Sequence, residues 1–107
     1  FGGYGRDWHP GIDIAVDYGT PVYASAAGYV EQSGWYGGYG NYVNISHDYG
    51  YSTAYGHMSS IKVNAGDYVE KGQVIGYVGS TGYSTGPHLH FEVLLYGEQV
   101  NPRKLMK

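Results

Sequence analysis

The chain has 107 residues and no cysteine, with six Lys and Arg against nine Asp and Glu for a formal net charge of -3. This length predicts one domain with a real but thin hydrophobic core, and the missing cysteine excludes disulfides, thiolate metal sites and cysteine nucleophiles. The sign of the charge excludes a nucleic-acid binder working through a basic patch, and adhesion to an anionic surface by charge alone.

No long segment carries a 3.6-residue apolar rhythm, and the 19 glycines interrupt almost every window, so few helices are expected. Short alternating runs between turn residues predict an all-β fold. In chain order the strands fall near Ile12–Ala15, Pro21–Ala24, Gly28–Ser33, Asn41–His47, Ser52–His57, Tyr68–Val69, Val74–Val78 and His88–Leu94. Glycine-bearing turns separate them: "DYGTP", "WYGGYG", "HDYGY", "NAGD" and "EKGQ". A longer loop, "GSTGYSTGP" from Gly79 to Pro87, runs directly into the last strand. The 14 tyrosines favour strands and offer a flat face with a polar tip. They suit a wet sheet surface or a groove for an extended or sugar-bearing ligand. No linker, repeat array or low-complexity tail interrupts the pattern, so one sheet-rich domain is the simplest account. No apolar run approaches the length of a membrane span, and no membrane insertion is expected. The abrupt start, "FGGYGRDWH", reads as a domain excised from a longer protein.

Chemistry concentrates in three places. Side chains alternate along a strand, so in "PHLHFEV" His88, His90 and Glu92 share one face and Leu89, Phe91 and Val93 the other. The apolar face is expected on the core, and the polar face in solvent or a cleft. Imidazoles two residues apart lie about 7 Å apart along the strand and can converge on one site. In "HPGID", Pro10 and Gly11 disfavour helix, and His9 and Asp13 share a parity opposite to Ile12 and Ile14. The third place is "YGHMS", with His57 at the end of a tyrosine-rich strand. Two histidines and one aspartate make an open zinc site that keeps a position for water, whose pKa the metal lowers to about 7. Two further histidines are then available to orient that water, move protons and steady an oxyanion, which suits amide hydrolysis. The spacing alone leaves a second reading open, surface or internally satisfied histidines. His47, in "SHDYG", reads as a turn residue, since it has no companion at ligand-like spacing.

Taken in order, "HPGIDIA", "YGHMS" and "GPHLHFEV" resemble the lysostaphin-type zinc metallopeptidases of the M23 class. The similarity extends over nearly the whole chain, through "YGTPVYASAAGYV", "GGYGNYVNISH", "VNAGDYVEKGQVIGYVGSTGYSTGPHLHFEV" and the closing "VNP". The resemblance implies a twisted antiparallel β-sheet with a long loop-walled groove and one Zn²⁺ at its floor. It implies that His9, Asp13 and His90 hold the metal, and that His57 and His88 are the catalytic pair, without saying which is the general base. It implies an extracellular, cell-wall or periplasmic monomer that cleaves peptidoglycan peptides, with glycyl-glycyl bridges and D-alanyl cross-links both open as substrates. Tyr4 would assist the oxyanion, and Asn41 would be a polar group of the groove. Glu92, beside His90 on one face, would accept the free ring N–H of a histidine and fix its tautomer, unless it is an exposed strand glutamate. "WYGGYG" and "GSTGYSTG" would wall the groove, with little side-chain bulk and with Trp35, Tyr36, Tyr39 and Tyr83 as aromatic surface.

Two other functions compete. A non-catalytic M23-like module for wall or protein binding would usually lack one of the five metal and catalytic residues, and here all five are present. "VNAGDYVEKGQVIGYVG" by itself resembles half of a biotinyl or lipoyl carrier domain. Such a carrier needs a lysine on the turn that follows; "STGYSTGPHLH" has none, and the next lysine is Lys104.

Overall fold

Alternation and glycine turns together build a sheet. The computed structural model describes residues 12–82, 86–95 and 98–100, the last three as main chain only. Within them the strands are β1 (Ile12–Ile14), β2 (Pro21–Tyr23), β3 (Gly28–Trp35), β4 (Asn41–Ser46), β5 (Tyr51–Ile61), β6 (Tyr68–Val69), β7 (Val74–Val78), β8 (Leu89–Leu95) and β9 (Glu98–Val100). No α-helix occurs among the described residues; single 3₁₀ turns lie at Gly37–Tyr39 and Asp48–Gly50. All nine strands join one antiparallel sheet with a main path β1-β8-β5-β4-β3-β6; β7 pairs with β5 and β2, and β9 with β8. The all-β, antiparallel expectation therefore holds.

Alternation decides what is buried. In β2, Val22 points inward while Pro21 and Tyr23 are exposed. Val30, Val43, Ile45, Met58, Val69, Ile75 and Val78 complete the dry centre, and Leu89 and Phe91 of β8 pack against it. Among the described residues six tyrosines, at 18, 23, 29, 36, 49 and 68, remain exposed. Tyr29 and Tyr68 are direct cross-strand partners with ring centroids 5.2 Å apart, edge to face.

Two local features differ from the sequence reading. β5 does not end at His57 but continues to Ile61. His57 takes a left-handed backbone (φ 63°), and the register slips beside it, between Met58 and Ser60 against β7. The irregularity allows one strand to pair with β4 and β8 first and with β7 afterwards. β9 was not expected, because "GEQV" has little apolar character; main-chain pairing with β8 supplies the strand. Of the two places expected for the polar face of β8, solvent or a cleft, the structure excludes open solvent for His90 and Glu92. His90 is 4% and Glu92 2% exposed, because an aromatic loop covers them.

His47 begins a polar chain that runs from the surface into the interior. Its Nδ1–H donates to Ala27 O (2.7 Å), and Nε2 lies 2.7 Å from Thr53 Oγ1. Thr53 Oγ1 is 2.8 Å from the Tyr55 hydroxyl, which also accepts the Ser25 N–H (3.0 Å). Tyr55 is 1% exposed, so its hydroxyl links three segments with little access to water. Tyr55→Phe should therefore cost about 1–3 kcal/mol, because the buried Thr53 hydroxyl loses a partner in the interior and the Ser25 N–H loses its acceptor. Urea unfolding measures it; an unchanged midpoint would mean that water replaces the hydroxyl.

Candidate active site

Strand pairing brings the chemistry together from distant parts of the chain. β1 runs antiparallel to β8 with Asp13 opposite His90. On the other side of β8, Gly56 stands opposite His90, which sets the next residue, His57, beside the same point. Asp13 Oδ1 lies 2.7 Å from His90 Nδ1 and 3.6 Å from His88 Nε2. The His57 ring centroid is 4.7 Å from that of His88 and 6.0 Å from that of His90. Asp13, His57, His88 and His90 thus share one site. His9, Tyr4 and Tyr83 lie outside the described residues.

The far nitrogen of each ring fixes which nitrogen faces inward. His57 Nδ1–H donates to Thr81 O (2.6 Å), and His88 Nδ1–H donates to Gly86 O (3.0 Å). Carbonyl oxygens only accept, so both rings turn Nε2 toward the site. His90 is inverted: Nε2–H donates to Glu92 Oε2 (2.8 Å), and Nδ1 faces Asp13. A bare Nδ1 lone pair and a carboxylate oxygen at 2.7 Å would repel each other, so the pair calls for a positive charge between or beside them. The titration of the ring points the same way. Burial pushes the His90 pKa down, but hydrogen bonds and charge from Glu92 and Asp13 outweigh it and hold it above the ordinary value. A nitrogen and an oxygen donor with this need fit Zn²⁺, which takes such ligands when thiolates are absent. Among the described residues no group of three such donors is complete.

His57 is shifted the other way. Burial lowers its pKa, and the neighbouring His88 and His90 lower it further, while the Thr81 carbonyl offsets only part. The ring therefore favours its neutral form, with Nε2 free of a proton.

Thr81 braces this corner. Its hydroxyl donates to Met58 O (2.7 Å) and accepts the Asn41 N–H (3.1 Å). The Asn41 side-chain amide donates to Met58 O (3.0 Å) and Ser59 O (3.2 Å). Nothing in the sequence singled out Thr81, because its contact to His57 runs through a main-chain carbonyl that any residue carries. Glu92 is buried against the histidines rather than exposed, and the Tyr39 hydroxyl donates to its Oε2 (2.6 Å). Burial, and then the bond to Glu92, push the Tyr39 pKa well above the usual tyrosine range; burial and the Glu92 charge push Tyr42 up to about 12. Trp35 (65% exposed) and Tyr36 (47%) remain open on the same loop.

The chain resembles known proteins in sequence and in fold. The sequence profile of peptidase family M23 matches residues 7–102. The peptidoglycan DD-endopeptidase ShyA of Vibrio cholerae is 47% identical over 96 residues, covering 90% of this chain and 22% of that protein. The catalytic domain of the antimicrobial peptidase lysostaphin from Staphylococcus simulans superposes with a TM-score of 0.87 at 38% identity, over 94% of this chain and 80% of that one. A zinc-containing peptidase from Vibrio cholerae superposes with a TM-score of 0.83 at 43% identity, over 87% of this chain and 29% of that one. The chain spans about a fifth of the length of the curated relatives it matches. A matched profile over most of the chain, and a shared fold at substantial identity, lead to one conclusion: this chain belongs to peptidase family M23.

Proposed function

We propose that the chain is a zinc-dependent endopeptidase domain that hydrolyses amide bonds in bacterial peptidoglycan, in stem peptides or cross-bridges. The observation that carries the reading is the pair Asp13–His90, a carboxylate oxygen and an imidazole nitrogen held 2.7 Å apart and flanked by two imidazoles that turn Nε2 toward the same site. A relative that is a peptidoglycan DD-endopeptidase and a neighbour that contains zinc support the substrate class and the metal.

In this reading Asp13, His90 and His9 would hold one Zn²⁺. When bound, the ion acts as a Lewis acid and lowers the pKa of water at the site. The rest falls to side chains of this chain. Glu92 keeps the His90 proton on Nε2, so that Nδ1 stays available as a ligand. His57 and His88 present Nε2 to the substrate. The neutral one takes the proton of the attacking water, and the protonated one stabilises the oxygen of the scissile amide and passes a proton to the leaving nitrogen. Tyr4 would add a further donor to that oxygen. The Asn41 amide nitrogen is engaged by main-chain carbonyls, so its carbonyl oxygen is the atom it would offer a substrate. Trp35 and Tyr36 would flank the peptide. Peptidoglycan lies outside the cytoplasmic membrane, so this substrate assigns the domain to the cell wall or periplasm, acting as a monomer.

The test is digestion of purified peptidoglycan of two kinds, one with D-alanyl cross-links and one with glycyl bridges, with fragment masses read out. Cleavage of at least one is expected. Chelator should abolish it and Zn²⁺ restore it. Full activity after complete metal removal, or no cleavage of either wall by the zinc-loaded protein, would sink the reading; the second result would favour a non-catalytic wall-binding module.

A further inference from the structure

We propose that Tyr39 is a positioning residue for His90: it holds Glu92, Glu92 holds the imidazole, and the aromatic loop thereby sets the orientation of a metal-binding ring. The inference rests on the zinc reading above and adds a residue to it.

The contacts form a line. Tyr39 Oη donates to Glu92 Oε2 at 2.6 Å, and His90 Nε2–H donates to the same oxygen at 2.8 Å. Glu92 is 2% exposed, and a buried carboxylate depends on such donors for its solvation. Short O–H···O⁻ bonds are among the stronger hydrogen bonds a side chain makes. A phenol is suited to this place because it donates without adding a charge that would compete with a bound cation.

Tyr39 has little freedom of its own. Its ring stacks on Tyr36 (centroids 5.6 Å apart, planes within 7°) and leans on Tyr42 (5.0 Å). Its main-chain N–H closes the 3₁₀ turn on Tyr36 O (3.0 Å). On the inner side the ring lies over Gly56, where a Cβ would come within 3.2 Å of Tyr39 Cδ1. Gly56 is the residue that faces His90 across the β5–β8 pair. The hydroxyl is thus aimed at Glu92 by the tyrosine stack on one side and by the sheet on the other. Tyr39 turns inward while Trp35 and Tyr36 on the same loop remain exposed, so the loop has an outer face open to a ligand and an inner face tied to the histidine.

Partners that orient a metal-binding histidine typically carry 10–100-fold in metal affinity. The test uses the intact chain and its Tyr39→Phe and Glu92→Gln variants, with zinc affinity read by competition against a chromophoric chelator. Both variants should bind zinc about 10-fold or more weakly than the parent chain. Two further readouts separate positioning from simple loss of structure. The metal-free Tyr39→Phe protein should lose only the stability of one bond to a buried carboxylate and stay fully folded at the temperature of the zinc titration. The His90 Nε2–H proton, held downfield by the carboxylate in the parent, should move upfield or be lost to exchange. Affinity of Tyr39→Phe within about twofold of the parent would overturn the inference, as would a weakening fully matched by lost metal-free stability. A parent chain that binds no zinc would overturn the zinc reading itself, a result distinct from equal binding by parent and variant.

Discussion

His57→Ala is expected to retain one bound zinc and to lose about 10²–10⁴-fold in the rate of peptidoglycan cleavage, the range contributed by a positioned proton-transfer group. The geometry distinguishes it from its neighbours. Its Nδ1–H is committed to Thr81 O at 2.6 Å, and burial with the nearby imidazoles favours the neutral ring. The backbone there is left-handed, a conformation that costs a non-glycine residue about 1–2 kcal/mol and persists where the surroundings enforce it. Such a strained residue at the meeting point of three strand pairings is consistent with the catalytic role proposed for it. His88→Ala should behave in the same way, since its ring also turns Nε2 inward. His90→Ala and Asp13→Ala should instead lose the metal. Elemental analysis of the purified variants, beside their cleavage rates, separates the two classes. If His57→Ala lost its zinc as completely as His90→Ala, the division of roles would be wrong.

Gly82→Ala is the second large effect, and it falls on stability. We expect a loss of about 2–4 kcal/mol, from left-handed strain together with overpacking. Gly82 has φ +74°, and a Cβ there would lie 2.4 Å from both Gly38 O and Gly40 N and 2.8 Å from the Tyr39 carbonyl carbon. These are main-chain atoms and cannot rotate aside. The two loops that the sequence marks as groove walls therefore touch backbone to backbone at this residue. Gly19→Ala is the control: φ is +87°, but nothing lies within 4 Å, so only the conformational cost of about 1 kcal/mol remains. For a domain of this size each kcal/mol moves the melting temperature by roughly 4–8 °C. The Gly82 variant should therefore melt roughly 10 °C or more below the parent, clearly beneath the Gly19 variant. Activity should fall with it, because Thr81, next in the chain, accepts the His57 N–H and braces Asn41. Equal melting of the two variants would show that the loops part easily.

The strand pattern and the polar faces were legible in the sequence because both are local. The alternation of His88, His90 and Glu92 against Leu89 and Phe91 follows from a period of two, and glycine-bearing turns mark where strands stop. The three histidine motifs, read together, point to the family without any geometry. The sequence could not show that Asp13 stands opposite His90, a contact across 77 residues, or that Tyr39 reaches Glu92 across 53. Nor could it show the continuation of β5 past His57, the edge strand β9, or the burial of the polar face of β8. Side-chain alternation is set by the covalent chain, residue by residue. Strand register, the bulge at His57 and the covering of Glu92 depend on which distant segments pair, and that choice is made only when the whole sheet closes its hydrogen bonds and buries its apolar side chains together.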